Sequence, residues 1–286
     1  MYISTKEAAQ RWGISERRVR VLCQQGRIDG AMKSSWAYLI PSDAQKPRDG
    51  RQLRHRRQTH SSSTRIDLAR LEAVQAEKSE EFAERCIAAL PSFLLASFAL
   101  ASIRVSDADL TAIAAQRFSS ELEFAPTILL ANMRSLLQSY VRHYQRGVPI
   151  PPLGETALLE AMERLGQGLE PLGGWQIDER EAVAEALEVL VLQDSREFFD
   201  ASVLERALFW YAEIIRIAPF SAYNELLAAV IYAQILIGGG WVPSLGSLEE
   251  IDEVRAALIL TQRRGQYRHL IEVVAESYRS LTENSD

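Results

Sequence analysis

The densest apolar pattern in the chain lies at 206–244, RALFWYAEIIRIAPFSAYNELLAAVIYAQILIGGGWVPS. It predicts two helices. The first should stop near Ile217, because Pro219 has no backbone N–H and disfavours helical geometry in the residue before it. The second, over 222–236, is apolar nearly all round, which predicts burial at the centre of a bundle. Gly238, Gly239 and Gly240 should end it. Apolar residues at helical spacing predict further helices over 66–90 (interrupted at Pro91), 107–118, 126–145, 155–169, 178–192, 201–217, 248–263 and 266–281. The Pro- and Gly-bearing segments 148–155 and 171–176 read as loops. From about residue 65 onward no alternating run asks for a sheet, and no repeat period is visible.

The first 46 residues follow a different plan. Ser4-Thr5-Lys6-Glu7 has the spacing of a capping box, with Ala8, Ala9 and Trp12 as the apolar face of a short helix. Gly13 should break that helix, and Ser15 should cap a second over 16–24. Val19, Leu22 and Cys23 share one face of the second helix; Arg17, Arg18 and Arg20 occupy the other. Segments 28–33 and 36–40 predict a small hairpin turning at Ser34-Ser35 and stopped by Pro41. The run ISTKEAAQRWGIS-ERRVRVLCQQGRI-DGAMK-SSWAYLIP resembles the winged helix-turn-helix of the excisionase and MerR-like group over residues 2–46. That resemblance implies a recognition helix at 15–25. Ser15, Arg17, Arg18 and Arg20 would then face DNA, with Lys33 and Tyr38 as wing contacts. Guanidinium groups suit this work, since they fork onto guanine edges or phosphate oxygens. The competing reading is that these arginines solubilise a helical module that docks on protein.

Residues 47–64 are a linker by composition, and within them Arg51, Arg54, Arg56 and Arg57 cluster around His55. Such a segment can lie along phosphates or enter a minor groove. Charge sharpens the division. The chain of 286 residues carries a net −6, yet residues 1–60 hold thirteen Lys/Arg against five Asp/Glu, and the remainder nineteen against thirty-three. A basic head on an acidic body points to a polyanion partner for the head alone. Cys23 and Cys86 are the only cysteines, too few for a disulfide framework or zinc pattern, which fits a reducing cytoplasm. The run 226–242 is marginal in length for a membrane span and broken by Tyr232, Gln234 and three glycines, so no membrane partner is expected. His143 and His269 have no Cys, Asp or second His at ligand spacing, and no catalytic constellation stands out. Neither metal nor cofactor is expected.

Two stretches of the body, within about 179–281, resemble the Fic family. One is the helix, the APF break and the buried helix ending in Gly. The other is the C-terminal run EVRAALILTQRRGQYRHLIEVVAESYRSL. The resemblance implies that Ala218, Pro219, Phe220, Ser221, Ala222, Tyr223, Asn224, Glu225 and Leu226 stand where the family reads HPFxDGNGR. Ala218 then replaces the histidine base, Ala222 the acidic metal holder, Tyr223 and Glu225 the phosphate-cradling glycines, and Leu226 the phosphate-binding arginine. Only Pro219, Phe220 and Asn224 survive, as shapers of the turn. The expected protein is mostly α: a winged helix-turn-helix head at 1–46, the linker, and an all-α Fic-like bundle at 65–286. Its expected role is that of a bacterial or phage transcriptional regulator, most simply a repressor, binding double-stranded DNA as a homodimer. The body would be a pseudoenzyme used for dimerisation, partner binding or ligand sensing. Such proteins resemble regulators found beside toxin–antitoxin or phage-defence genes. An atypical Fic-like nucleotidyl transferase and a protein adaptor are the alternatives.

Overall fold

The computed structural model describes residues 2–12, 19, 23, 28, 31–34, 37–42, 44, 68, 71, 81–117, 122–148, 152–169, 180–197, 201–265 and 267–283. The chain divides into two compact units, Met1–Thr59 and His60–Asp286.

In the first unit, strand β1 (Tyr2–Ser4) leads into helix α1 (Thr5–Trp12), and strands β2 (Met32–Ser34) and β3 (Ala37–Pro41) follow. The capping box forms: the Glu7 N–H donates to Ser4 Oγ at 3.2 Å, and Glu7 Oε2 accepts from the Ser4 N–H at 2.7 Å. Those bonds hold the exposed Glu7 carboxyl below its usual range. The sheet has the order β1-β3-β2, all antiparallel, so β3 is central. Two expectations are corrected here. The hairpin's first strand begins at Met32 rather than 28, since Ile28 lies in a bend and the Ala31 N–H bonds back to the Ile28 carbonyl. A third strand, β1, was not expected, and it pairs Ile3 with Ile40. Ala8, Trp12, Val19, Cys23, Ile28 and Ile40 are buried together as this unit's core. Val19 and Cys23, four residues apart, are helical. The rest of the expected second helix lies outside the described residues.

The second unit is built of helices joined by turns and loops over its described residues. Its elements are α2 (Phe82–Leu100), α3 (Asp107–Ala114), α4 (Phe124–Gln145), α5 (Glu155–Leu165), α6 (Arg180–Glu197), α7 (Val203–Ile217), α8 (Asn224–Gly238), α9 (Ile251–Arg264) and α10 (Arg268–Glu283). The protein is therefore mostly α. At the centre lies α8, with every residue from Leu226 to Ile237 buried. It packs chiefly along α7 and touches α4, α5 and α2. Each fully buried Leu, Ile or Val there contributes about 1.5–3 kcal/mol.

Pro91 does not interrupt a helix at 90: α2 runs through it. The Ile87 carbonyl loses its helical donor, but Ile87, Pro91 and Ser92 are exposed, so water can take that donor's place. Among the described residues, α2 is the one helix long and apolar enough to cross a membrane, and over half of its apolar window is buried within the protein. Helix α3 stops at Ala114, not 118, and α5 at Leu165, not 169. Helix α6 continues to Glu197, beyond the expected 192.

Several ends are closed by left-handed residues that are not glycine. Gln116 (φ 56°) and Ser102 (φ 61°) each sit just past a helix. The Arg117 N–H reaches the Ala112 carbonyl at 2.8 Å, and the Ile103 N–H reaches Phe98 at 2.8 Å. This is the Schellman arrangement, in which glycine avoids the steric cost of a Cβ. Ser102→Gly and Gln116→Gly should each raise the unfolding free energy by about 0.5–1 kcal/mol. Urea denaturation checks this, and a loss of stability in both variants would contradict it.

The exit from α8 is tightly built. A Cβ on Gly239 would lie 2.5 Å from Val203 Cγ1, so glycine there lets the start of α7 approach the end of α8. Beyond it, the Tyr232 hydroxyl donates to the Ser244 carbonyl, and the Tyr278 hydroxyl donates to the Val242 carbonyl, each at 2.6 Å. The Ser244 N–H donates back to the Tyr278 hydroxyl at 3.1 Å. Both tyrosines lie in the interior, and burial pushes both phenols above their ordinary range.

Candidate functional site

The turn between α7 and α8 spans Ala218 to Tyr223 and joins the two most closely packed helices. Helix α7 starts with a capping box, Ser202 with Glu205, and is capped at its C-terminus by Ala218, which is left-handed (φ 47°, ψ 62°). Left-handed geometry is costly for alanine, and position 218 also precedes Pro219, so the strain is local and specific. At the other end of the turn Tyr223 is left-handed too, with φ 60°. A bulky side chain there is a genuine outlier. Pro219 and Phe220 are buried between these two residues, and Ser221 is exposed.

Asn224 clamps the turn. Its Oδ1 accepts from the Phe220 N–H at 3.0 Å, and its Nδ2 donates to the Phe220 carbonyl at 2.8 Å, with all partners buried. Asn224→Ala removes both of these buried hydrogen bonds, each with a net contribution of about 0.5–1.5 kcal/mol. The variant should lose about 1–3 kcal/mol of stability by chemical denaturation. A loss under about 0.5 kcal/mol would show that the clamp does not hold the turn.

The turn and the start of α8 also hold Ala218, Tyr223, Glu225 and Leu226. Ala218 has no titratable atom. Glu225 puts a carboxylate in the first turn of α8, where the helix dipole favours it and where a bound anion would otherwise sit. Leu226 is fully buried in the core. Tyr223 packs its ring against that same core from the rim. Beneath the turn, burial first and the Glu225 charge second raise Tyr211 above its ordinary range, with Arg255 pulling the other way. Among the described residues, no three His, Cys, Asp or Glu side chains converge to hold a metal ion. Both cysteines are buried and free, and burial pushes the Cys86 thiol up to about 12. His269 is exposed, His143 half-buried, and Trp210 and Trp241 are core aromatics.

For the head, Ser15, Arg17, Arg18, Arg20, Arg51, Arg54, Arg56 and Arg57 lie outside the described residues. The β2–β3 register sets Lys33 opposite Tyr38. Tyr38 is half-buried and packs against the head's core, beside Ile40. Arg11 on α1 donates to the Ser42 carbonyl, tying the helix to the end of β3.

The helical body, with its strained Pro-Phe turn feeding a buried central helix, has a Fic-like all-α fold. Solved structures of Fic proteins superpose on it. The 134–508 segment of Fic-1 from C. elegans matches with a TM-score of 0.62 at 17% identity, covering 84% of this chain and 77% of that one. A single-substitution variant of the same segment gives 0.60, again at 17% identity and the same coverage. A Fic family protein from Desulfovibrio desulfuricans G20 gives 0.55 at 14% identity, covering 77% and 74%. At such identities the likeness establishes the fold and says nothing of activity. No family model matches the sequence. No curated protein matches it either.

Proposed function

We propose that this protein is a DNA-binding transcriptional regulator, acting as a repressor in the cytoplasm, whose Fic-like body is a pseudoenzyme. The observation that carries the reading is the split of charge, with thirteen basic against five acidic residues in 1–60 and nineteen against thirty-three beyond. A polyanion is attracted to such a head and repelled by such a body. The winged helix-turn-helix pattern supplies the geometry. Arg17, Arg18 and Arg20 on the recognition helix meet base edges and phosphates, Lys33 and Tyr38 belong to the wing, and the arginines at 51, 54, 56 and 57 add phosphate contacts. One head of this size covers too little DNA for tight specificity, so a homodimer reads two half-sites about 34 Å apart or a multiple of that.

The pseudoenzyme half of the proposal is supported by Ala218, Glu225 and Leu226. A general base, a free anion-binding helix end and a phosphate-binding cation are each replaced by a side chain that cannot do that work. Two assays test the proposal. Genomic fragments recovered on the purified full-length chain should be enriched in an inverted repeat; fragments drawn evenly from the genome would count against specific binding. Incubation with labelled ATP and Mg²⁺ should leave every protein unlabelled, and transfer of label to any protein would overturn the pseudoenzyme.

A further inference from the structure

We propose that α9 is the seat of a symmetric, antiparallel homodimer. Helix α9 packs on α10, α7 and α2 through one face, on which Ile251, Val254, Ala257, Leu258 and Thr261 are buried. The opposite face is exposed and has a definite order. Asp252, Ala256, Ile259 and Arg263 follow one another at helical spacing in a single stripe, flanked by Glu253 and Leu260. Ile259 is 42% and Leu260 38% exposed, although both are large and apolar. A solvated helix face has no need of either.

The stripe is complementary to itself. Its N-terminal end is acidic, its C-terminal end is basic, and a small residue and a branched one lie between. A two-fold axis crossing it midway, between positions 257 and 258, lays Asp252 of one copy beside Arg263 of the second copy. It also sets Ala256 of one against Ile259 of the other, so the alanine leaves room for the isoleucine. Each opposed contact then occurs twice, as an isologous interface requires. A parallel pairing would instead set Asp252 against Asp252 and Arg263 against Arg263. The charges thus select the antiparallel arrangement, with the two ion pairs about 16 Å apart along the helix. Within the chain Asp252 already meets Arg255 at 2.8 Å, but its side chain is 93% exposed and has oxygen to spare for a second cation. Arg263 makes no ion pair with a described residue.

This inference names the surface of the homodimer that the DNA reading calls for. Its test is run without DNA, so the two fail separately. Light scattering on the full chain at micromolar concentration should report a dimer. Asp252→Arg and Arg263→Asp should each weaken dimerisation at least about tenfold, because two attractions per dimer become two repulsions. The double variant Asp252→Arg/Arg263→Asp should restore it, and Ile259→Asp should give monomer. All three positions are exposed, so circular dichroism and the melting temperature should stay near wild type and show that folding is not the cause. Three results would overturn the inference: a monomeric wild type, a dimer indifferent to either single reversal, or a double reversal that fails to restore association.

Discussion

Leu226→Arg should destabilise the protein by at least about 4 kcal/mol, enough to consume much of the stability of an ordinary domain. This substitution restores the residue type that the Fic resemblance puts at that position, so its failure is informative. Leu226 is fully buried in the third position of α8, surrounded by the core shared with α7. Three costs add. The apolar burial of leucine, about 2 kcal/mol, is lost. The longer side chain overpacks the site, at about 1–3 kcal/mol. An unpaired guanidinium must then be held in the interior, near the positive end of the helix dipole, for several kcal/mol more. Leu226→Met keeps volume and polarity and should cost under about 1.5 kcal/mol. Urea midpoints of the two variants check the comparison. A Leu226→Arg protein within about 1 kcal/mol of wild type would mean that the side chain finds water, and that the turn still has room for a phosphate-binding cation.

Much of this architecture is legible because its causes are local. Ser4 and Glu7 make their capping bonds across three residues, and the spacing alone announces them. The burial of α8 follows from an apolar pattern with no polar face. Other features depend on partners distant in sequence. The strand β1 is three residues long, too short to display an alternating pattern, and it exists because β3 offers Ile40 to Ile3. Pro91 marks an end in isolation, but the apolar residues of 93–100 keep the helix going by burying themselves in the bundle. The helix ends at Gln116 and Ser102 escape notice because these residues usually avoid φ above zero.

The signature turn shows both cases at once. The identities Ala218, Ala222, Tyr223, Glu225 and Leu226 are readable directly, and so is their departure from the residues that the Fic resemblance puts there. What they do in place remains hidden until the chain is folded. Ala218 and Tyr223 both accept left-handed strain, and Asn224 bonds both polar atoms of the Phe220 backbone. Tertiary packing overrides the local preference there. The outward stripe of α9 is a further case. Periodicity predicts the helix, but only its neighbours decide that Ile259 faces outward while Leu258 faces inward.

Neutralising Arg17 and Arg18 should have the largest effect on function. If each reads a base edge, Arg17→Gln or Arg18→Gln should cost about 1–3 kcal/mol at a specific site, or roughly 5- to 150-fold in affinity. In a homodimer on two half-sites the loss occurs in both heads, so the double variant should bind specific DNA no better than random DNA. The salt dependence separates the two roles an arginine can play. Loss of a base contact collapses the preference for the specific site while the slope against salt concentration changes little. Loss of a phosphate contact weakens all sequences alike and lowers the slope by about one unit per contact. The linker arginines, for example Arg54 and Arg56, should behave in the second way. Mobility shifts at several salt concentrations, on the recovered site and on a scrambled one, read both quantities. Should Arg17→Gln/Arg18→Gln leave both affinity and preference unchanged, the head does not read DNA through this helix, and its positive charge serves another partner.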